Sequence, residues 1–304
     1  MQETHPQAIP VISIVIPTYN TSGVLRECLS GLAEQAGDTT ACEVIVVNDG
    51  GKDESSASLG HFGDKLAIRY VRQEHRGPAA ARNLGVRMAR ADIVAFLDDD
   101  SVPLKDWLER TISAWRETPE SDGIGGYVAI DPADSIYCRV NAGFFNWYLD
   151  QQISRPESAF LATCNASYRK SSLEKIGGFD TSFERACGED RDVNLRLVRS
   201  GGKLRLDAKI CVYHDRDLTL TAFIRKNYYY GMAACRIYAK YPEQRYISTP
   251  GYAALFSSLY KRYGTWWERA TALALLVLSQ VSTAVGFVAG KVSRTHSHVS
   301  LPAL

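Results

Sequence analysis

The sequence is short of charge imbalance, of paired cysteines and of repetition, and each shortage removes a class of function. Thirty-five basic residues against 34 acidic ones leave a net charge of +1, so no basic face is expected and nucleic acid is set aside as a partner. The seven cysteines are odd in number, scattered and never spaced C-x-x-C. That pattern argues against a disulfide framework or a structural zinc site and fits a reducing compartment. The first ten residues, MQETHPQAIP, contain no apolar core, and a secretory signal is not expected. Neither an internal repeat nor a low-complexity linker is evident. What is there is an ordinary globular composition, 45% hydrophobic and 23% charged over 304 residues. It suits one large domain, or a catalytic domain with an appendage.

The N-terminal half alternates two periodicities. Val11–Thr18 (VISIVIPT) and Cys42–Asn48 (CEVIVVN) are β-branched runs of strand length. Between them Leu25, Cys28, Leu29, Leu32 and Ala36 recur at helical spacing, with Thr21 or Ser22 available as a cap. Leu66–Arg72 reads as a further strand and Ala79–Arg90 as a helix. Ile93–Leu97 reads as a buried strand, after which Ser101 can cap and Pro103 can start a helix with its face at Leu104, Trp107, Leu108, Thr111, Ile112 and Trp115. Strands alternating with helices predict an α/β fold, a mostly parallel twisted sheet with helices on both faces.

In such sheets ligands bind beyond the carboxyl ends of the strands. Here those ends are Pro17-Thr18-Tyr19-Asn20, Asn48-Asp49-Gly50-Gly51 and Asp98-Asp99-Asp100. Each of the first two is ordinary turn chemistry when taken alone. Together with three adjacent carboxylates on the same rim, they point to a binding site. Like charges at a strand end repel one another, and desolvation makes their ionisation costlier. Something positive is therefore expected beside them, and a hard cation carrying a diphosphate fits. In an extended chain Asp98 and Asp100 point to one side and Asp99 to the other.

The second half adds Gly188-Glu189-Asp190 before a helix over Arg191–Arg199, which Gly201-Gly202 ends. Acidic residues at a helix start are often no more than partners of its dipole. Leu204, Leu206, Ala208, Ile210 and Val212 then alternate with polar neighbours, a half-buried strand that delivers His214 at its end.

With these residues in place the chain resembles family 2 of the inverting glycosyltransferases, of the GT-A fold. The resemblance covers about Val11 to Gly231. It rests on Ile12–Asn20, on VVNDGGKDES, on GPAAARNLG (Gly77–Gly85), on FLDDDSVP, on the tract from Glu174 to Leu204 that contains Gly188-Glu189-Asp190, and on His214 within VYHD. Asn48 and Gly51 stand where the family commonly shows Asp and Ser. The resemblance implies a nucleotide-sugar donor, by default UDP-linked, and a saccharide or lipid-linked acceptor in polysaccharide or glycolipid biosynthesis. It implies that Asp49 reads the base, that Pro17, Thr18, Tyr19 and Asn20 wall base and ribose, and that Gly77 and Arg82 lie near the nucleotide. Asp98 and Asp99 would contact the donor, Asn165 the donor sugar, and Asp100 and His214 a divalent cation, Mn²⁺ or Mg²⁺. Asp190 would be the general base, helped by Glu189. A sugar nucleotidyltransferase is a rival reading, but it should show a glycine-rich phosphate loop after the first strand, where this chain has PTYN. A non-catalytic nucleotide-sugar-binding protein is another, and it would be expected to lack base or metal residues.

The catalytic domain is expected over residues 9–235 and a C-terminal helical region over 236–304. Within the latter, Ala270–Gly290 carries no charge and follows Trp266-Trp267, which is long enough for a bilayer span. Thr271, Ser279, Gln280, Ser282 and Thr283 lower its hydrophobicity, so spanning, lying on a membrane and packing on the domain all stay open. Membrane association at the cytoplasmic face is the expectation. The tyrosines of Asn227–Gly231 are expected to pack a helix.

Overall fold

The structure is a computed structural model. It describes residues 9–36, 39–52, 59–155, 159–183, 187–215, 218–244, 255–257 and 263–297. Two stretches of the motif-bearing tracts, 53–55 and 184–186, lie outside the described residues.

Contacts divide the chain into two units, residues 1–129 with 155–214, and residues 130–154 with 215–304. The first unit holds an eight-stranded sheet in the order β3-β2-β1-β4-β7-β6-β8-β5. Its strands are β1 (Ile12–Thr18), β2 (Cys42–Asn48), β3 (Ala67–Arg72), β4 (Ile93–Phe96), β5 (Val102–Pro103), β6 (Gly123–Val128), β7 (Ala166–Arg169) and β8 (Leu204–Tyr213). β1 pairs parallel with β2 and β4, and β2 with β3. Beyond β4 the sheet is mixed: β7 runs antiparallel to both β4 and β6, and β6 parallel to β8. Parallel strands buried on both faces read as continuous apolar runs, and every residue of β2 is buried. The core gathers Ile14, Ile16, Leu25, Leu29, Val44, Val46, Trp107 and Trp115. The α/β sheet with flanking helices is as expected from the sequence.

Helices α1 (Ser22–Ala33), α2 (Pro78–Met88), α3 (Trp107–Glu117), α5 (Lys170–Lys175) and α6 (Glu189–Arg199) complete this unit. One expectation is corrected. The chain after the carboxylates does not enter a helix at Pro103. Val102 and Pro103 instead pair antiparallel with Tyr213 and Val212, and Leu104 N–H donates to Cys211 O at 3.1 Å. α3 starts four residues later, at Trp107. Proline lacks an N–H and is tolerated on a sheet edge, and here that edge draws Asp98–Asp100 toward the end of β8. Thr21 does occupy the N-cap position of α1 but makes no side-chain cap bond. β8 also departs from clean alternation, since Ile210 and Val212 are buried while Ala208 and Lys209 are both exposed.

The second unit contains α4 (Ile136–Ile153), α7 (Leu220–Lys240) and α8 (Trp266–Ser297). Its own core is built from Cys138, Val140, Phe223, Tyr263, Leu275 and Leu276. α7 runs unbroken through 235, the residue at which the sequence placed a domain boundary. Residues 215–235 group by contacts with α8.

Candidate active site

The parallel register sets Thr18 beside Asn48, and Val15 beside Phe96. The segments that leave β1, β2 and β4 therefore emerge on one rim, as in-register parallel strands require. The acidic segment is the clearest feature there. Asp98 and Asp100 turn to one side, where His214 Nε2 lies 3.2 Å from Asp100 Oδ1 and 3.7 Å from Asp98 Oδ2. One ligand atom from each of the three residues falls within 4.8 Å of the others. Asp99 turns away and accepts a hydrogen bond from Thr21 Oγ1, whose hydroxyl also lies 2.9 Å from Thr18 Oγ1. Burial pushes the Asp99 carboxyl up to about 6, with Asp100 and Asp98 adding to the shift and the two threonines opposing it. Two carboxylate oxygens and an imidazole nitrogen, partly open to solvent, are a donor set that suits a divalent cation.

The sequence calls for a cation beside the carboxylates and sets Arg82 near the nucleotide; in the structure the Arg82 guanidinium itself pairs with Asp98. Arg82 is 2% exposed. Nη2 donates to Asp98 Oδ1 and Nη1 to Glu189 Oε1, both at 2.7 Å, and its carbon lies 5.9 Å from the Phe179 ring centre. Burial works against its charge, yet Asp98 and Glu189 outweigh that and hold it protonated. Both amino groups are thus committed to protein carboxylates, and Arg82 braces the acidic segment against the start of α6.

At that helix start Gly188 takes the left-handed φ of 98°, which a side chain would strain. Glu189 is buried, and its second oxygen, Oε2, has no hydrogen-bond partner among the described residues. Burial raises its carboxyl while Arg82 opposes the shift. Asp190 is half-buried and accepts from Arg191 N–H at 2.7 Å. Burial pushes its carboxyl up to about 7; the neighbouring Glu189 adds to the rise and Arg82 opposes it. A carboxylate that binds its proton this strongly near neutral pH is suited to general-base work.

The residues expected on the nucleotide side include Asp49 and Tyr19, which follow the ends of β2 and β1. Asp49 is buried at the end of β2. Its Oδ1 accepts from Gln73 Nε2 at 2.7 Å and Arg76 N–H at 2.9 Å, and its Oδ2 lies 2.8 Å from Gly77 N and 2.9 Å from His75 Nδ1. Gly77 has a positive φ of 86° and precedes Pro78 at the start of α2, so the Asp49 carboxylate ties that helix to the rim. Tyr19 is 46% exposed and stacks on His75, ring centres 4.4 Å apart. Thr18 is buried and Pro17 half-buried, while Asn20 adopts a φ of 58° and accepts from Lys52 N–H at 2.7 Å.

Asn165, expected near the donor sugar, lies below the rim surface. It is 3% exposed. Its Oδ1 accepts from Trp107 Nε1 at 2.8 Å, and its Nδ2 donates to Tyr127 O and Ile210 O at 3.1 Å each. Its whole amide is spent in joining α3, β6 and β8. Sequence reasoning also missed Thr21, Gln73, His75 and the Arg82–Glu189 pair. Partners 24 to 107 residues apart in the chain leave no local signal.

Comparison with known proteins bears on the family and the fold. Residues 13–177 match the family model described as glycosyl transferase family 2. The pre-mycofactocin glycosyltransferase of Mycobacterium tuberculosis (strain CDC 1551 / Oshkosh) is 28% identical over 279 residues, which are 88% of this chain and 56% of that protein. The chain thus spans little more than half the length of that relative. Among solved structures, the mannosyltransferase PcManGT from Pyrobaculum calidifontis in complex with GDP-Man and Mn²⁺ superposes with a TM-score of 0.61 at 20% identity, covering 97% of this chain and 82% of that one. S. aureus TarS 1-349 in complex with UDP-GlcNAc superposes at 0.54 with 16% identity, covering 94% and 92%. These two likenesses are of fold, the GT-A fold. The chain belongs to glycosyl transferase family 2.

Proposed function

From that membership we propose that the protein is an inverting, metal-dependent glycosyltransferase. It moves a sugar from a nucleotide-diphosphate sugar, UDP-linked, to a hydroxyl of a saccharide or lipid-linked acceptor in polysaccharide or glycolipid biosynthesis. The observation that carries this reading is the bridge from Asp98 through Arg82 to Glu189. It joins the candidate cation ligands to the helix start that carries the candidate base Asp190, the two parts that an in-line displacement needs on opposite sides of the sugar. GDP-Man and Mn²⁺ in PcManGT and UDP-GlcNAc in TarS support the class of donor. The odd number and scatter of the seven cysteines suit a reducing compartment, in keeping with work on the cytoplasmic side of a membrane.

Asp98, Asp100 and His214 would hold the cation, and the imidazole nitrogen favours Mn²⁺ over Mg²⁺. Bound there, the metal supplies charge neutralisation to the leaving diphosphate. Asp190 takes the proton of the acceptor hydroxyl as that oxygen attacks the anomeric carbon. The bond to the diphosphate oxygen breaks and its electron pair leaves with the diphosphate. Glu189, held by Arg82, fixes the helix start that presents Asp190. Tyr19 offers its exposed ring to the base, and Asp49 holds the Gln73–Gly77 wall of the nucleotide site.

The test is an assay of the purified chain with UDP-sugars and saccharide acceptors. UDP release that depends on acceptor and on Mn²⁺ is the expected result. Pyrophosphate as the product would assign a nucleotidyltransferase, and a failure of every nucleotide sugar to bind or react would overturn the reading.

A further inference from the structure

α8 is built inside out for water. Leu273, Val277, Val281, Val285, Val288 and Val292 are each between 50% and 59% exposed. Trp266 and Trp267 at the start of the helix are 80% and 54% exposed. At 100° per residue these side chains share an arc of about 120°. The opposite face is where the polar and small residues lie. Ser279 and Ser282 are buried there, donating to Leu276 O and Leu278 O at 2.8 Å. Thr283 Oγ1 donates to Asn227 O of α7 at 3.2 Å. Gly286 and Gly290 press on α7 as well: a Cβ on Gly286 would stand 1.9 Å from Tyr228 O, and one on Gly290 3.0 Å from Cys235 Cβ. Small and hydroxyl residues facing a neighbouring helix, with branched apolar residues facing outward, is the polarity of a helix pair in lipid. A water-facing helix shows the reverse.

We infer that this arc of α8 docks on an anionic lipid surface, with the helix lying in the plane of the bilayer interface instead of crossing it. The proposal goes beyond the catalytic reading and does not depend on it. Two observations choose the occupant and the orientation. First, α7 carries exposed Arg225, Arg236 and Lys240 and no carboxylate of its own, its fourth cation Lys226 being paired with Asp215, and α8 has no carboxylate after Glu268 while Lys291 is exposed. That one-sided charge complements acidic headgroups. Second, α8 cannot cross alone while it is packed along α7, and α7 cannot cross with it. The uncharged stretch Asn227–Cys235 measures about 13 Å at 1.5 Å per residue, under half of a ~30 Å hydrocarbon core. An interfacial helix with its apolar arc buried and its covering helix above meets both constraints.

The test is co-sedimentation of the full chain with phosphatidylcholine vesicles, with and without phosphatidylglycerol. Binding is expected to be strongest with phosphatidylglycerol and to fall with added salt. Val277→Lys combined with Val285→Lys should lower the bound fraction by about tenfold or more, with circular dichroism and thermal unfolding unchanged because both positions are exposed. A Val281→Trp variant measured with brominated lipids reports orientation. Quenching best by shallow bromines supports the in-plane helix, whereas quenching best at the bilayer centre shows a span and overturns it. Failure of the wild-type chain to sediment with either vesicle overturns the proposal. So does a dimer that the paired lysines convert to a monomer, since the arc would then cover a second copy. None of these readouts uses turnover, so loss of the glycosyltransferase reading would leave them intact.

Discussion

At the sheet rim Arg82 is 2% exposed with a carboxylate on each amino group, whereas on α8 Ser279 and Ser282 are buried and the valines face outward. The two regions handle polarity in opposite ways for one physical reason. A buried charge persists where opposite charge and hydrogen bonds offset its lost hydration, and the rim supplies both. A buried serine persists in a helix because it can bond the carbonyl a turn earlier. That frees the rest of the helix surface to be apolar wherever the surroundings are not water. The rim is thus specified by pairwise electrostatics, and the helix face by the medium around it.

The sharpest way to break this comparison is to remove charge from the rim. With chelator, transfer should fall to background and return with Mn²⁺. Asp100→Ala, which takes away a cation ligand, should lose both turnover and nucleotide-sugar binding measured by calorimetry. Full turnover in chelator would show that the rim carboxylates do not hold a functional cation. Next in size is Asp190→Asn. The chemical step should slow by about 10²–10⁴, while donor affinity stays within a few fold. Near-normal turnover by a folded Asp190→Asn protein would reduce Glu189-Asp190 to partners of the helix dipole.

A smaller effect follows from the raised Asp190 carboxyl, which reaches about 7. The base works ionised, so its proton must be lost before transfer. kcat/KM should rise about tenfold per unit below pH 7 and flatten above it. This limb should be absent in Asp190→Asn. A profile flat from pH 5 to 8 in the wild-type enzyme would place the base elsewhere. The smallest effect belongs to the helical unit. A Cβ on Gly231 of α7 would stand 1.9 Å from Thr283 O, so Gly231→Ala should cost about 1–3 kcal/mol of stability by overpacking. Val281→Thr on the exposed arc should change it by no more than about 0.5 kcal/mol. Equal melting shifts for the two variants would mean that α7 and α8 are not packed as described.

Much of this molecule follows from local sequence. The apolar runs ending in PTYN, NDGG and DDD fix β1, β2 and β4, because a parallel strand buried on both faces is nearly continuously apolar, Ser13 and Glu43 bonding each other as the exceptions, and its other polar residues collect at the end. The same alternation of strands and helices makes the sheet parallel there, so the rim and most of its carboxylates are readable before any coordinates. His214 at the end of β8 is likewise visible as the last residue of an alternating run. Other features were decided by tertiary structure. Pro103 reads locally as a helix start, yet it joins β8 because the edge of a sheet offered hydrogen bonds that a first helical turn does not. Asn165 belongs to a motif that suggests a ligand contact, but its amide is consumed by Trp107, Tyr127 and Ile210. Arg82 and Glu189 stand 107 residues apart, and no periodicity in either neighbourhood announces that they meet. The polarity of α8 was hidden for the same reason: an uncharged run shows that a helix is apolar, but its partner helix decides which arc is covered. Hydrophobic periodicity is a property of neighbours in the chain, whereas the pairing of buried polar groups is settled by whatever the fold brings within about 3 Å.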